Sequence, residues 1–284
     1  MSAEPSDGAL AAAYAHCADL VRDHDEDRWR AVLFAPAPAR PHLHALYAFS
    51  HEIAAIPARA SEPMAGEIRR QWWRDALEGA ARGDVPGHPV AAALLDTRDR
   101  FRLPNAALIG LIDARAFDLY HDPMPSLAQL EGYCGETMSA LLRLASIVLA
   151  DGDEPGSADV AGYAGVAYAM AGLMRALPWR AREGRVFLPQ DILDRHGVSR
   201  DDIVAGRGGP GVARALGELR GVARAHWMKA AAQWPALSRA ARIGCLPAAL
   251  TPLYLTRLAS VVDPLSEIVE ISPLRKMWTL WRAS

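Results

Sequence analysis

The chain has 284 residues, of which 51% are hydrophobic, and a formal net charge of −2. That length is enough for one large domain or two small ones with a substantial core. Acidic and basic residues are spread along the chain and form no basic stripe, which argues against a nucleic-acid-binding protein. The cysteines are far apart, form no CxxC pair and are typical of a reducing compartment: Cys17, Cys134 and Cys245.

The N-terminal sequence carries no recognisable targeting signal. MSAEPSDGAL lacks the basic start and the apolar stretch of a secretory signal, and the acids that come after it are atypical of a mitochondrial transit peptide. The most apolar run, residues 141–150, has about half the length of a membrane-spanning helix and contains Arg143. We therefore expect a bacterial-type, cytoplasmic protein, with peripheral contact at the inner membrane as an additional hypothesis.

The first residues of the chain are predicted to be helical, like most of the sequence. Ala, Leu and Arg dominate the composition and β-branched residues are sparse, which favours helix over strand. Residues 1–28 are expected to form an N-terminal helical extension. Within it, DHDED (23–27) is predicted to be a solvated junction between helices, with Asp25 or Asp27 as the N-cap.

Two helices are predicted in the next part of the chain. One covers 63–81, because apolar residues recur along one of its sides: Ile68, Trp72 and Ala76. The other begins at Pro104, since proline is favoured in the first turn of a helix, and it extends to about residue 119.

Two longer helices are predicted in the middle of the chain. Ser126 and Gln129 fit a capping box, which predicts a helix over 126–149. A second helix is predicted over 158–177, where apolar residues recur every three or four positions on one face: Val160, Tyr163, Ala167, Met170 and Met174. Glycines within this helix are expected to let another helix approach closely: Gly162, Gly165 and Gly172.

The C-terminal segment, residues 270–284, is predicted to be a short basic amphipathic helix. Its apolar residues are expected near one side: Leu274, Met277, Trp278 and Trp281. We expect this helix to dock on its own domain, which is compatible with contact to anionic lipid or a membrane-bound partner. Since the breaks along the chain are short loops, we predict one all-α domain spanning 1–284, packed around a single core or cavity.

Several apparent motifs fail on closer reading. GRGGPG (206–211) comes after no strand, and Pro210 removes an amide that a phosphate cradle would use. DGDEPGSAD (151–159) lacks the final glutamate of a calcium loop. His42 and His44 are two residues apart, diverge on a helix and therefore predict no zinc site.

Four stretches give the chain a resemblance to the squalene/phytoene synthase family. They are FAPAPARPHLHALYAF (34–49), WWRDALEG (72–79), GYCGETMSALLRL (132–144) and AGLMRALPWRAREGRVFLPQDIL (171–193). The last is the most specific, because GRVFLP comes after a helix at the spacing found in the family. The resemblance implies an isoprenoid-synthase-like helical fold around a central cavity.

The two aspartate-rich motifs of catalytic family members are missing from this chain. Those members ionise prenyl diphosphates with magnesium ions, which require carboxylate oxygens as ligands. The positions implied for these aspartates hold other residues: Ala54, Ala55, Ala58, Ala176 and Arg180. Pro57 is also expected to break the helix of the first motif. We therefore expect no catalytic residues, no metal ligands and no cofactor, with magnesium required only if the chain is an enzyme after all.

The resemblance also implies candidates for ligand binding around the old cavity: His51, Glu52, Arg69, Tyr133, Glu136, Arg175 and Arg185. Glu52 and Glu136 are expected to face each other, or to pair with Arg69 or Arg175. Arg175 and Arg185, with His51, are candidates to bind a diphosphate or lipid phosphate without metal. The alternatives are solvated arginines, favoured for Arg180 and Arg182, and a core role for Tyr133.

A narrower resemblance is to the branch of the family that includes the mitochondrial complex I assembly factor and its alphaproteobacterial relatives. It depends on features outside the missing motifs: Glu52, Gly66, Arg69, Gln71, Trp73 and His88-Pro89. It implies a non-enzymatic assembly factor or chaperone for respiratory complex I, which uses the cavity for a lipid-like ligand or a partner segment. The alternatives are a magnesium-dependent head-to-head prenyl transferase with a degenerate site, and an isoprenoid- or lipid-binding protein unrelated to complex I.

Overall fold

The computed structural model describes residues 7–60, 62–120 and 122–284, which form helices and no β-strand. This confirms the all-α prediction; residues 1–6 of the expected N-terminal extension lie outside the described residues. In chain order the α-helices are α1 (Asp7–His24), α2 (Glu26–Val32), α3 (Arg40–Arg59), α4 (Pro63–Glu78), α5 (Pro89–Phe101), α6 (Asn105–Ala114), α7 (Leu127–Cys134), α8 (Ala140–Leu149), α9 (Ala158–Arg175), α10 (Leu177–Arg182), α11 (Gln190–Arg195), α12 (Arg200–Val204), α13 (Pro210–Gln233), α14 (Arg239–Cys245), α15 (Thr251–Ala259) and α16 (Pro273–Ala283). Shorter 3-10 segments and one π turn join them: Ala37–Ala39, Arg115–Leu119, Gly135–Ser139, Trp234–Ala236 and Leu246–Leu250.

Helix α3 passes through the core, and its apolar face is fully buried along its first half. The expectation that Pro57 breaks this helix is wrong, because α3 continues to Arg59. Proline removes the N–H that would bond to the carbonyl of Ile53, and near the end of a helix that loss affects only one bond. The positions of the first aspartate motif therefore remain helical.

Helices α7 and α8 form one rod that is interrupted by the π turn Gly135–Ser139. Ser126 caps its start by accepting a hydrogen bond from the Gln129 amide at 3.3 Å, which is one of the two bonds of the predicted capping box. Such π turns insert one residue into the ladder and change which side chains face the interior. Tyr133, just before the π turn, and Thr137, within it, are both buried.

Helix α9 packs against α13, α15 and the π turn, and it confirms the helix predicted over 158–177 to within two residues. At Gly165 a Cβ atom would overlap the backbone of Ser139, so this glycine permits the close approach that was expected. The same expectation is wrong for Gly162 and Gly172, where a Cβ would meet nothing within 4 Å. The Ser139 hydroxyl also donates to the carbonyl of Gly162 at 2.8 Å.

Helix α4 begins at Pro63 as predicted and ends earlier, at Glu78, where Gly79 adopts a φ of 76°. Its expected apolar side is divided, because Ala76 is buried, Trp72 is half-buried and Ile68 is 64% exposed. Pro104 is the N-cap of α6 rather than a residue of its first turn.

Helix α16 docks on α2 and on the 3-10 segment Leu246–Leu250. The side facing the protein carries Lys276 and Leu280, which are 6% and 0% exposed. The apolar side expected from the sequence points outward: Leu274 is 83%, Trp278 59% and Trp281 60% exposed. Docking is thus confirmed, but through a different face. None of the helices in the described part of the chain is long and apolar enough to cross a membrane.

Candidate functional site

A cavity of about 400 Å³ lies between α2, α9, α10, α16 and the π turn. A small part of its wall carries no charge and is apolar. It is formed by Met138, Ala169, Gly172 and Leu173. The rest is densely charged. It has three consecutive acids and one arginine from the start of α2, and one basic residue from each of four other segments: Asp25, Glu26, Asp27, Arg28, Arg115, Arg175, Arg180 and Lys276. We call it the central cavity.

Asp27 is the hub of the charged wall. Its Oδ2 accepts hydrogen bonds from the hydroxyls of Tyr254 at 2.5 Å and Tyr168 at 3.2 Å. Its Oδ1 lies 2.8 Å from Nζ of Lys276, and Arg175 approaches Oδ2 at 3.5 Å. The carboxylate is 8% exposed, so its charge is balanced inside the protein rather than by solvent.

The prediction that DHDED is a solvated junction is therefore wrong for Asp27, which is buried. The prediction that Asp25 or Asp27 is the N-cap is confirmed, and the N-cap is Asp25. Asp25 accepts the Arg28 amide at 3.1 Å. Burial and the charge of Asp27 raise the pKa of Tyr168, and burial does the same for Tyr254, so both hydroxyls stay protonated donors. A hydrogen bond from Lys276 lowers the pKa of Glu26.

A second polar cluster lines the opposite end of the central cavity. The Tyr133 hydroxyl donates to Asp118 at 2.8 Å, and Arg115 donates to that hydroxyl at 2.8 Å and to Asp118 at 3.0 Å. Arg180 lies beside this cluster with its guanidinium 4.6 Å from the ring centre of Phe187. Burial lowers the pKa of Arg180, although the charge of Asp118 opposes the shift.

Arg180 is the cavity cation that lacks an acidic partner within the described part of the chain. The cavity acids Asp25, Glu26 and Asp27 each pair with a base, as does Asp118. The Arg180 side chain makes no hydrogen bond or ion pair with the described residues, and the Nε atom of Arg175 is buried without an acceptor among them. The favoured expectation that Arg180 is solvated is wrong, since this residue is half-buried against Phe187. The arrangement can accept an oxyanion at Arg180 beside an apolar wall.

The side chains of the central cavity do not fit a magnesium cluster. Arg180 lines the cavity and adds a positive charge, which opposes the binding of a cation. The alanines at 54, 55, 58 and 176 are not among the lining residues and carry no ligand atom. The carboxylates that are present already bind lysine, arginine or tyrosine. Within the described residues, no three His, Cys, Asp or Glu side chains lie close enough together to hold a metal ion.

The structure brings some of the predicted ligand residues to the central cavity and not others. Tyr133 and Arg175 line it, and the Arg175 guanidinium lies 3.7 Å from the ring centre of Tyr254. His51 reaches it indirectly, by stacking on the cavity residue His24 at 4.6 Å. Burial, and the charge of His24, lower the pKa of His51. A ligand-binding role for these residues stays a prediction.

The remaining candidates lie elsewhere. Glu52 pairs with Arg59 at 2.6 Å and, with Arg69, lines a separate pocket between α3 and α4. Arg185 pairs with Glu183 at 2.8 Å and lines a third pocket. Glu136 is exposed on the π turn. Glu52 and Glu136 therefore do not share a cavity, and neither pairs with Arg69 or Arg175.

Asp27 and three of its partners were not among the predicted site residues: Tyr168, Tyr254 and Lys276. Their sequence separations explain this, because Tyr254 and Lys276 bind a carboxylate 227 and about 250 positions earlier in the chain. The one local signal was an acid-rich run directly before an apolar helix, and that pattern is more often a solvated cap.

Solved structures that share this arrangement of helices include squalene and dehydrosqualene synthases. The chain superposes on squalene synthase HpnC from Alicyclobacillus acidocaldarius with a TM-score of 0.72 and 24% identity, over 87% of this chain and 93% of that one. The fold is therefore that of the isoprenoid synthases.

The chain belongs to the squalene/phytoene synthase family, whose sequence model matches residues 21–278. It is 34% identical over 190 residues to a rat protein named NADH dehydrogenase (ubiquinone) complex I, assembly factor 6, a match that covers 66% of this chain. A Drosophila melanogaster homologue of that factor is 28% identical over 86% of this chain and 74% of its own length. The chain spans 56% of the length of the rat relative.

Proposed function

We propose that this protein is a non-enzymatic assembly factor or chaperone for respiratory complex I. The similarity to proteins named complex I assembly factor 6 supports the role. The observation that carries the non-enzymatic part is the charge arrangement of the central cavity. Arg180 occupies a position where the family resemblance implies an aspartate ligand for magnesium, and Asp27 is held by Lys276 and two tyrosine hydroxyls.

The partner in this proposal is a complex I subunit or assembly intermediate, and the central cavity holds a lipid-like or isoprenoid molecule without a metal or other cofactor. Arg180 and the Nε atom of Arg175 offer donors to an anionic head group. Met138 and Leu173 offer contact area to an apolar chain.

The protein acts in this proposal at the cytoplasmic surface of the inner membrane. The outward side of α16 supports membrane contact, because Trp278 and Trp281 are exposed with ring centres 5.0 Å apart. Arg275 and Arg282 are exposed on the same short helix. Tryptophan next to arginine is typical of helices that lie in the headgroup region of anionic membranes.

Two assays test this proposal. In the first, purified protein is incubated with farnesyl and geranylgeranyl diphosphate, with and without magnesium, and diphosphate release is measured. We expect no release from folded protein. Magnesium-dependent release would establish the alternative, a prenyl transferase with an unusual site.

The second assay uses a deletion strain. We expect loss of assembled complex I on native gels, with recovery when the full chain is expressed again. Normal complex I together with altered isoprenoid pools would instead support a lipid-binding protein unrelated to complex I.

A further inference from the structure

A second pocket lies outside the central cavity, between α3 and α4. It has a volume of about 290 Å³ and contains an aromatic corner of Trp72, Trp73 and His88, whose ring centres are all 5.2 Å apart. Glu52 and Arg59 close one side of it. We call it the tryptophan pocket.

An exposed apolar row leads along α4 to the tryptophan pocket. Met64 and Ile68 are 68% and 64% exposed, and Trp72 is half-buried. These residues are four apart, so they lie on one face of the helix and form a continuous stripe. Isolated exposed apolar residues are ordinary, whereas a stripe that ends in an aromatic pocket is typical of a protein-binding surface.

The rim of the tryptophan pocket is positively charged. Glu52 is paired with Arg59 at 2.6 Å, which leaves Arg69 as an additional cation. The side chain of Arg69 is exposed and makes no hydrogen bond or ion pair with any other described residue. Its guanidinium has five N–H donors in a planar arrangement that suits a carboxylate. An occupant that complements this surface therefore needs an apolar part for the stripe and an acid for Arg69.

We propose that the tryptophan pocket and the α4 stripe bind a segment of a partner protein in which a bulky apolar side chain lies within one helical turn of an Asp or Glu. The apolar side chain packs on Ile68 and Trp72, and the carboxylate binds Arg69. This inference uses the proposed function only in taking the partner to be a protein.

The test places the photo-crosslinking residue p-benzoylphenylalanine at Ile68 in the full chain, expressed in the deletion strain. We expect one crosslinked protein, attached through a residue within four positions of an Asp or Glu. Arg69→Glu in the same chain should lower the yield about tenfold, because it replaces a charge-assisted hydrogen bond by repulsion, and Arg69→Lys should retain most of it. The control places the crosslinker at Met228, which is 65% exposed on α13 and should give no such product.

Several results would overturn the inference. They are a yield at Ile68 no higher than at Met228, a crosslinked peptide without an acid nearby, a product that is a second copy of this chain, and a yield unaffected by Arg69→Glu. Complex I measured in the same strains separates this inference from the proposed function. If deletion abolishes complex I but Ile68→Glu and Arg69→Glu restore it fully, the tryptophan pocket is not the binding surface. If the crosslink forms as expected but deletion leaves complex I intact, the complex I role is wrong.

Discussion

Replacing Asp27 by asparagine tests the hub of the central cavity. The substitution keeps the shape of the side chain and removes the negative charge that balances Lys276. The side chain of Lys276 is 7% exposed. Losing one partner of a buried ion pair costs about 3–5 kcal/mol. Glu26 still lies 2.7 Å from Lys276, so we expect the lower end of that range, about 3 kcal/mol. For a domain of this size that corresponds to a fall of roughly 6–12 °C in Tm.

Thermal and urea unfolding, followed by circular dichroism near neutral pH, measure this change. The matched control is Asp23→Asn, which alters the same type of side chain four residues earlier. The Asp23 side chain is 57% exposed and, among the described residues, pairs only with Arg22, so the control should unfold close to wild type. If Asp27→Asn loses less than about 1 kcal/mol, the carboxylate is not holding Lys276 and the tyrosines together, and the reasoning fails.

Three further predictions concern other parts of the molecule. Gly165→Ala should destabilise strongly because its Cβ would overlap the Ser139 backbone, whereas Gly162→Ala, in the same helix but with open space, should stabilise by up to about 1 kcal/mol. Burial, and then Arg40, lower the pKa of His44 to about 4 from 6.5, so its contribution to stability is complete above 6.5 and is lost as the pH falls toward 4; His44→Gln should flatten that fall in urea unfolding. Arg180→Met should leave Tm near wild type, since it breaks no ion pair, and should weaken farnesyl diphosphate binding in EDTA about tenfold by calorimetry.

Each of these predictions has an outcome that contradicts it. Equal stability of the two glycine variants would mean that α9 and the π turn are not in close contact. A stability profile of His44→Gln that falls as steeply as that of wild type would show that this histidine is not the titrating group. If Arg180→Met binds as tightly as the wild-type chain, the anion does not bind at Arg180.

The helices were predictable because their signals are local. The periodic face of α9 and the cap at Ser126 depend on residues within a few turns of each other, and both were confirmed. The prediction that Pro57 breaks α3 was wrong, because a proline near the end of a helix removes one hydrogen bond without ending the helix. The extra residue of the π turn left no pattern in the sequence that we could read.

The site was less predictable because charge pairing acts over long sequence separations. Helical periodicity placed the apolar residues of α16 toward the protein, but Lys276 occupies that face because Glu26 and Asp27 balance its charge there. Arg175 and Tyr133 were placed near the cavity through the family resemblance, and the structure has both lining it. Glu52 on α3 and Arg69 on α4 line the tryptophan pocket instead, a placement that the resemblance did not imply.

The contact between Lys276 and the start of α2 also affects how the protein is made. The N-terminal part of a chain leaves the ribosome first, and domains fold as their residues are synthesised. Glu26 can pair with Arg30 on the same helix, but Lys276 comes 250 residues later, so the charged wall is completed only after α16 has been synthesised. Until α16 docks, a nascent chain therefore lacks the ammonium group that balances Asp27, and its cavity carries one positive charge fewer than in the finished fold.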